Sequence, residues 1–229
     1  MKYSTLVFTL SLALVACNRN SELKDKPAAE VSSGTTATAA TTDTTASTVA
    51  AAATSTAAPA DAVHVIKEKS SIEFVAAKVT RDHHGKFTSF DGWLEYAGGK
   101  PVRLAFTIDV NSVETDTEKL TGHLKTPDFF DVATYPKATF TSTSITEAAP
   151  GTAGGATHVV KGIFDLHGVQ KELTIPVTAQ STPDGIHAKS EFTINRHDWK
   201  IDYKGMADDL IKDNVLIRLD LAFPPPPAA

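Results

Sequence analysis

Strict alternation of apolar and polar residues runs through the longest strand-like stretches of this chain. Val102, Leu104, Phe106, Ile108 and Val110 share one face, with Arg103, Thr107 and Asp109 on the other. Leu173, Ile175 and Val177 repeat the pattern. After a Thr182-Pro183-Asp184-Gly185 turn, a further strand carries Ile186, Ala188, Phe192 and Ile194 inward. The last strand sets Val215, Ile217, Leu219, Leu221 and Phe223 on one side before a run of prolines ends it. A period of two sends successive side chains to opposite faces, so each strand has one buried face and one wet face. Weaker versions of the pattern cover Val63 to Glu68, Ile72 to Val79, Lys86 to Tyr96, Ala138 to Ile145 and His158 to Leu166. The total is about eight or nine strands, with Leu166-His167-Gly168 as a tight reversal between two of them.

Asn111 to Tyr135 is the principal insertion without strand character. Asn111 or Ser112 caps a short helix there, in which Leu120 and Leu124 stand on one face, and together with Phe129 and Phe130 that face closes one end of the fold. A second short helix is expected at Ala207 to Lys212, led by Asp208 and Asp209. Strands with a single apolar face build either a sandwich or a barrel. A barrel of about eight strands removes exposed edges and encloses an interior wide enough for a small ligand. The periodicity alone leaves the two architectures open.

The ends of the chain read differently. Lys2 precedes an apolar run from Leu6 to Ala16 that is too short to span a bilayer and has the form of a secretory leader. Leu14-Val15-Ala16-Cys17 resembles the bacterial lipobox, which implies lipidation of Cys17, the only cysteine. No intramolecular disulfide is then available, and the fold stands on its core. Residues 17–60 are Ala, Thr and Ser with scattered charge and no aromatic residue, the composition of a disordered tether. The organisation expected is a leader at 1–16, a lipidated tether at 17–60, one folded domain at 61–223 and a Pro-rich tail at 224–229.

The formal charge of −5 and the lack of a basic stripe argue against nucleic acid as a partner. Catalysis has little support, because there is no G-x-S-x-G elbow, and the only cysteine is assigned to lipidation. His83, His84 and His123 are the nearest approach to a metal cluster. Adjacent histidines in a strand point to opposite faces, although one of them with His123 and a carboxylate would suffice for zinc; the favoured reading is a loop histidine and a helix-end histidine that hydrogen-bond to backbone. Arg196-His197-Asp198-Trp199 forms a polar and aromatic knot after a strand. It reads either as an Arg–Asp pair pinning a loop or as a cation at a barrel mouth.

Three passages carry a family likeness: VTRDHHGKFTSFDG, GHLKTPDFFDVATYPKATFTSTS and VVKGIFDLHGVQKELTIPV. From about Val63 to Phe223 the chain closely resembles the YceI-like family of bacterial envelope proteins regarded as binding polyisoprenoids or other lipids. The resemblance implies an all-β fold, an extended lipocalin-like antiparallel barrel of about eight strands with one or two short helices. It also implies a non-enzymatic function without metal or cofactor: sequestration or transport of an isoprenoid or other long-chain lipid. The lining residues expected are Phe87, Phe90, Leu104, Phe106, Ile108, Leu120, Leu124, Phe129, Phe130, Phe140, Phe164, Ile175 and Phe192, with His84, His123 and Arg196 as headgroup candidates. The alternatives are a ligand-free envelope domain with a filled core and a His-dependent metal enzyme. Lipidated Cys17 would hold the domain to a membrane facing the periplasm. Asn18, in place of the aspartate that retains enteric lipoproteins in the inner membrane, leans toward the outer membrane.

Overall fold

The computed structural model describes residues 22–23, 26–32, 57–206 and 209–226. Among them the chain forms thirteen strands and one α-helix. The first strands are short, β1 (Glu30–Ser32) and β2 (Val63–His64). β3 (Ser71–Lys78), β4 (Asp82–Phe87), β5 (Phe90–Ala97), β6 (Lys100–Asp109) and β7 (Val113–Thr115) follow. The helix α1 (Glu118–Leu124) precedes β8 (Lys137–Glu147), β9 (His158–Leu166), β10 (Val169–Thr182) and β11 (Gly185–Asn195). The short β12 (Gly205–Met206) and the long β13 (Asp209–Phe223) complete the set.

These strands form a single antiparallel sheet with the order β2-β5-β6-β8-β9-β10-β11-β13-β3-β4-β7. The sheet curls so that its apolar face is inside, giving the lipocalin-like form expected from the sequence. Its closure is not a continuous ladder. At the seam, the Val65 N–H donates to Gly92 O on β5 at 2.9 Å, and the next residue, Ile66, donates to Ala222 O on β13 at 2.8 Å. Phe106 and Phe223 meet edge to face across the interior at 6.1 Å. The reversal between β9 and β10 has His167 at φ 53° and Gly168 at φ 69°, the positive-φ pair that suits a two-residue hairpin.

Several sequence expectations are corrected. The run Lys86 to Tyr96 is two strands, because Phe87 and Phe90 break the period of two and the chain turns between them. Thr88 donates to Ser112 O at 3.3 Å, and the Ser89 N–H donates to Ser112 Oγ at 2.9 Å. Strand character at Val63 ends after His64, and Lys67–Lys69 is a 3₁₀ turn. The cap of α1 is Thr117, whose side chain accepts from the Leu120 N–H at 3.3 Å. Asn111 and Ser112 instead belong to a 3₁₀ turn capped by Asp109. Of the second helix expected at 207–212, residues 207–208 lie outside the described residues, and Asp209 onward is strand, paired with β12. Cross-strand pairing overrides the capping signal of the acidic pair.

The reading of 17–60 as a bare tether also needs correction. Cys17 and the leader lie outside the described residues, as do residues 227–229 of the tail. Glu30, Val31 and Ser32, however, pair with Thr174, Leu173 and Glu172 of β10, and Ala29 is buried. Upstream, Glu22 meets Arg218 of β13 at 2.6 Å and His84 of β4 at 3.5 Å, and Lys26 pairs with Glu191 of β11. The N-terminal segment therefore crosses the outer face of β3, β13 and β11. On that face Val75 and Leu216, paired in register, are 1% and 0% exposed.

Leu216→Ala is therefore expected to lower the unfolding free energy by about 2–5 kcal/mol, since its whole side chain is in contact with protein. Leu210→Ala, on the exposed start of β13, should change it by about 0.5 kcal/mol or less. Urea denaturation of the two variants checks the contrast.

Candidate functional site

The inner face of the sheet encloses a cavity of about 420 Å³. Its walls are built by the alternation seen in the sequence: Leu104, Phe106 and Ile108 from β6, Leu173, Ile175 and Val177 from β10, and Val215, Ile217, Leu219 and Leu221 from β13. Phe106, Phe140 and Phe164 are cross-strand partners on β6, β8 and β9, so three rings stand side by side on one wall.

These rings do not fill the lumen. A Cβ on Gly85 would stand 2.2 Å from the Phe74 ring, one on Gly92 2.4 Å from Phe106, and one on Gly162 2.4 Å from Phe140. Gly92 stands two residues from Phe90 and Leu94, Gly162 two from Val160 and Phe164, and Gly85 two from Phe87 and the buried His83, so each ring occupies the place of a missing side chain on the inner wall. Aromatic area is thus buried against backbone, and the axis of the barrel stays open.

One end of the cavity is closed. Leu124 at the end of α1, followed by Phe129 and Phe130, reaches the lining, and Phe130 continues an aromatic chain through Phe87 to Phe74 with centroids 6.0 and 5.7 Å apart. Trp199, fully buried, packs edge-on to Phe164 at 5.4 Å behind the same end. The opposite end is lined by Gly99, Lys100 and Pro101, His158, Ser181 and Lys189. Lys100 pairs with Glu147 at 3.3 Å and Lys189 with Asp220 at 2.8 Å.

Of the residues singled out as lining, Phe87, Leu104, Phe106, Ile108, Leu124, Phe129, Phe130, Phe140, Phe164, Ile175 and Phe192 border the cavity. Phe90 and Leu120 do not. Phe90 is buried beside Val65 and Leu94, and Leu120 packs at the edge of the main core. The reading missed Phe74, Val160, Leu166 and Ile194, although their inward positions follow from the same alternation. It also missed Lys100, His158 and Lys189, which no local signal connects.

The headgroup candidates separate. His84 points outward from β4 toward Glu22, as expected for the neighbour of an inward residue. His83 is buried, with Nδ1 3.0 Å from Asp116 and Nε2 accepting from Arg81 Nε at 3.1 Å. His123 meets Asp128 at 2.7 Å and packs edge to face with Phe129 and Tyr203 at 4.9 and 5.0 Å. In place of the backbone partners expected, each of the three histidines has its own carboxylate, and among the described residues no group of three ligating side chains forms.

Arg196 borders the closed end but is committed to the backbone. Its Nη1 donates to Ile201 O at 2.5 Å and its Nε to Lys212 O at 3.2 Å, and Nη2 lies 3.6 Å from Asp213. The expected pair with Asp198 does not form, because Asp198 faces Lys171 at 3.9 Å. Burial pulls the guanidinium below its ordinary value, against the opposing charges of Asp213 and Asp202. Next to it, His197 is clamped: Nδ1 is 2.5 Å from Asp202 and Nε2 2.9 Å from Asp213. Asp202 first, and then Asp213, hold the imidazole above its ordinary value, while Arg196 opposes them. Arg196 and His197 together fix the irregular start of β13, where the register shifts between Ile211 and Val215.

A raised folded value means that the His197 clamp stabilises fully below its unfolded value of about 6.5 and that this contribution is lost as pH rises through the folded value. His197→Gln should therefore lower the melting temperature clearly at about pH 6 and much less at about pH 9. Thermal melts at both pH values check this, and equal losses would assign the ring a packing role only.

The comparisons with known proteins agree with this geometry. A profile of the YceI-like domain matches residues 64–223. A UPF0312 protein of Pseudomonas savastanoi is 31% identical over 123 residues, covering 51% of this chain and 62% of its own length. Protein YceI of Salmonella arizonae is 34% identical over 94 residues, 40% of this chain and 46% of the relative. The chain thus spans roughly half to three fifths of these curated relatives. Among solved structures, Burkholderia cenocepacia BcnA aligns with a TM-score of 0.60 at 25% identity, covering 69% of this chain and 98% of BcnA. A polyisoprenoid binding domain from Saccharophagus degradans aligns with a TM-score of 0.58 at 21% identity, over 72% and 98% of the two chains.

Proposed function

This chain belongs to the YceI-like family, and we propose that its barrel sequesters or carries a long apolar lipid, of isoprenoid or fatty-acyl type, in the bacterial envelope. The observation that carries this reading is the open, apolar interior. A volume of about 420 Å³ lies within the range of small-ligand sites. It is kept clear by rings laid against Gly85, Gly92 and Gly162. Burying each methylene contributes about 0.8 kcal/mol, so an extended chain gains affinity along its length before ordering costs are subtracted. The fold relative from Saccharophagus is described as polyisoprenoid-binding, which fits the same chemistry. The headgroup belongs at the end rimmed by Lys100, His158 and Lys189, in place of the three candidates read from sequence.

We further propose that Cys17 carries the lipid anchor and that the domain faces the periplasm, with the outer membrane as the expected site. Cys17→Ser should abolish acyl labelling and release the protein from the membrane fraction. Unchanged labelling would refute the anchor.

Native mass spectrometry after purification from an envelope extract should find a co-purifying lipid, where a ligand-free domain would show none. The wall makes a sharper variant available. In Gly92→Ala the three atoms nearest the added Cβ all belong to the Phe106 ring, at 2.4 to 2.8 Å, so that ring is displaced from its place on the wall. The variant should fold, lose about 1–3 kcal/mol of stability and bind 11-(dansylamino)undecanoic acid more weakly than wild type. Wild-type affinity in a folded Gly92→Ala protein would count against occupancy of the lumen.

A further inference from the structure

β10 and β11 part company halfway along the wall. Their pairing runs from Thr182↔Gly185 to Thr178↔Lys189 and then stops, although each strand continues. From there β10 keeps only β9, through Val169 to Val177, and β11 keeps only β13, through to Asn195. The break falls at Pro176, which has no N–H to donate, and the last link is a side chain, Ser190 Oγ donating to Pro176 O at 2.5 Å. Beyond it, Leu173 and Ile175 on one bank and Phe192 and Ile194 on the other all line the cavity.

The wedge between the banks is filled by the N-terminal segment. Ala29 donates to Thr193 O and Thr193 donates to Pro27 O, both at 2.9 Å, while Glu30–Ser32 pairs with Glu172–Thr174. The segment runs parallel to β11 and antiparallel to β10, as a strand inserted between antiparallel neighbours must. Ala29 and Val31 turn toward the core, and Glu30 and Ser32 turn outward. Its hold is thin compared with the flanking ladders: three paired positions on β10, one bridge on β11, and two small inward side chains. The ion pairs of Lys26 with Glu191 and of Glu22 with Arg218 lie on the partly exposed outer face, where solvent and salt weaken them. The segment also lies outside the stretch that matches the family, residues 64–223.

We propose that residues 26–32 are a removable strand sealing a lateral opening between β10 and β11, and that a long-chain lipid reaches the cavity by displacing it. This rests on the lipid reading of the cavity. The opening gives an extended chain a sideways path onto the apolar banks, in contrast to threading past the polar rim. Lys26 lies nine residue steps along from Cys17, so an anchor at Cys17 would hold the opening within about 30 Å of the bilayer surface.

The test locks the seal. Ser32 and Glu172 are register partners that both face outward, at a spacing that suits a disulfide. Ser32→Cys/Glu172→Cys is made with Cys17→Ser, so that no other thiol is present. Oxidised protein should take up 11-(dansylamino)undecanoic acid at least tenfold more slowly than the same protein after reduction. Equal rates in the two states would overturn the seal. If neither state takes up the probe, the lipid reading fails, and amide exchange then decides the seal alone. The Thr193 N–H bonds to the segment, whereas its neighbours Phe192 and Ile194 pair with Ile217 and Val215 of β13. Exchange of Thr193 and Ala29 should be at least tenfold faster than that of Phe192 and Ile194. Comparable protection at all four would show that the segment opens only with the whole sheet.

Discussion

Phe74, Phe106 and Phe140 each lay a ring across the place where a glycine on the neighbouring strand would carry its Cβ. The rest of the structure depends on this contact. A curled sheet with one apolar face gains stability by removing that face from water, and large rings supply most area per residue. Left to project along the barrel radius, the same rings would meet in the middle and produce a solid core. Against Gly85, Gly92 and Gly162 the rings spend their area on the wall. Wall stability and an empty axis then come from the same residues.

The strands were largely legible in the chain itself. Alternation in β6, β10, β11 and β13 identified most of the lining, and Leu166-His167-Gly168 announced its hairpin. The glycine–ring contact was not legible, because Gly92 and Phe106 become neighbours only through the register of β5 on β6. Nothing near Gly92 in sequence distinguishes it from a turn residue. The surroundings of the headgroup candidates were hidden for a related reason. A histidine or arginine beside a strand end looks available until its partners are known, and Arg196 is spent on the carbonyls of Ile201 and, near the irregular start of β13, Lys212. Lys100, His158 and Lys189 lie far apart in the chain and border one cavity only through the pairing of the sheet.

The N-terminal segment shows the limit of composition as a guide. Pro27 to Ser32 contains little apolar area and blends into the Ala- and Thr-rich sequence around it, so it reads as unable to fold. That judgement is correct for the segment alone. Its order comes from a vacancy in the sheet, created where Pro176 withholds a donor and β10 leaves β11. A property of the folded wall therefore decides the conformation of a peptide whose own sequence expresses almost no preference.

The parting of those two strands also bears on solubility. Diverging strands in an otherwise paired sheet leave two rows of unused N–H and C=O groups, the template on which strands of other chains add and aggregates begin. Through its bonds to Thr193 and to Glu172–Thr174, the N-terminal segment supplies partners to both rows from within the same molecule. It thereby acts as an internal guard against edge-to-edge association, a duty that persists whether or not the interior is occupied. Trimming the chain back to the family boundary at residue 64 would leave the barrel's chemistry intact and remove that guard.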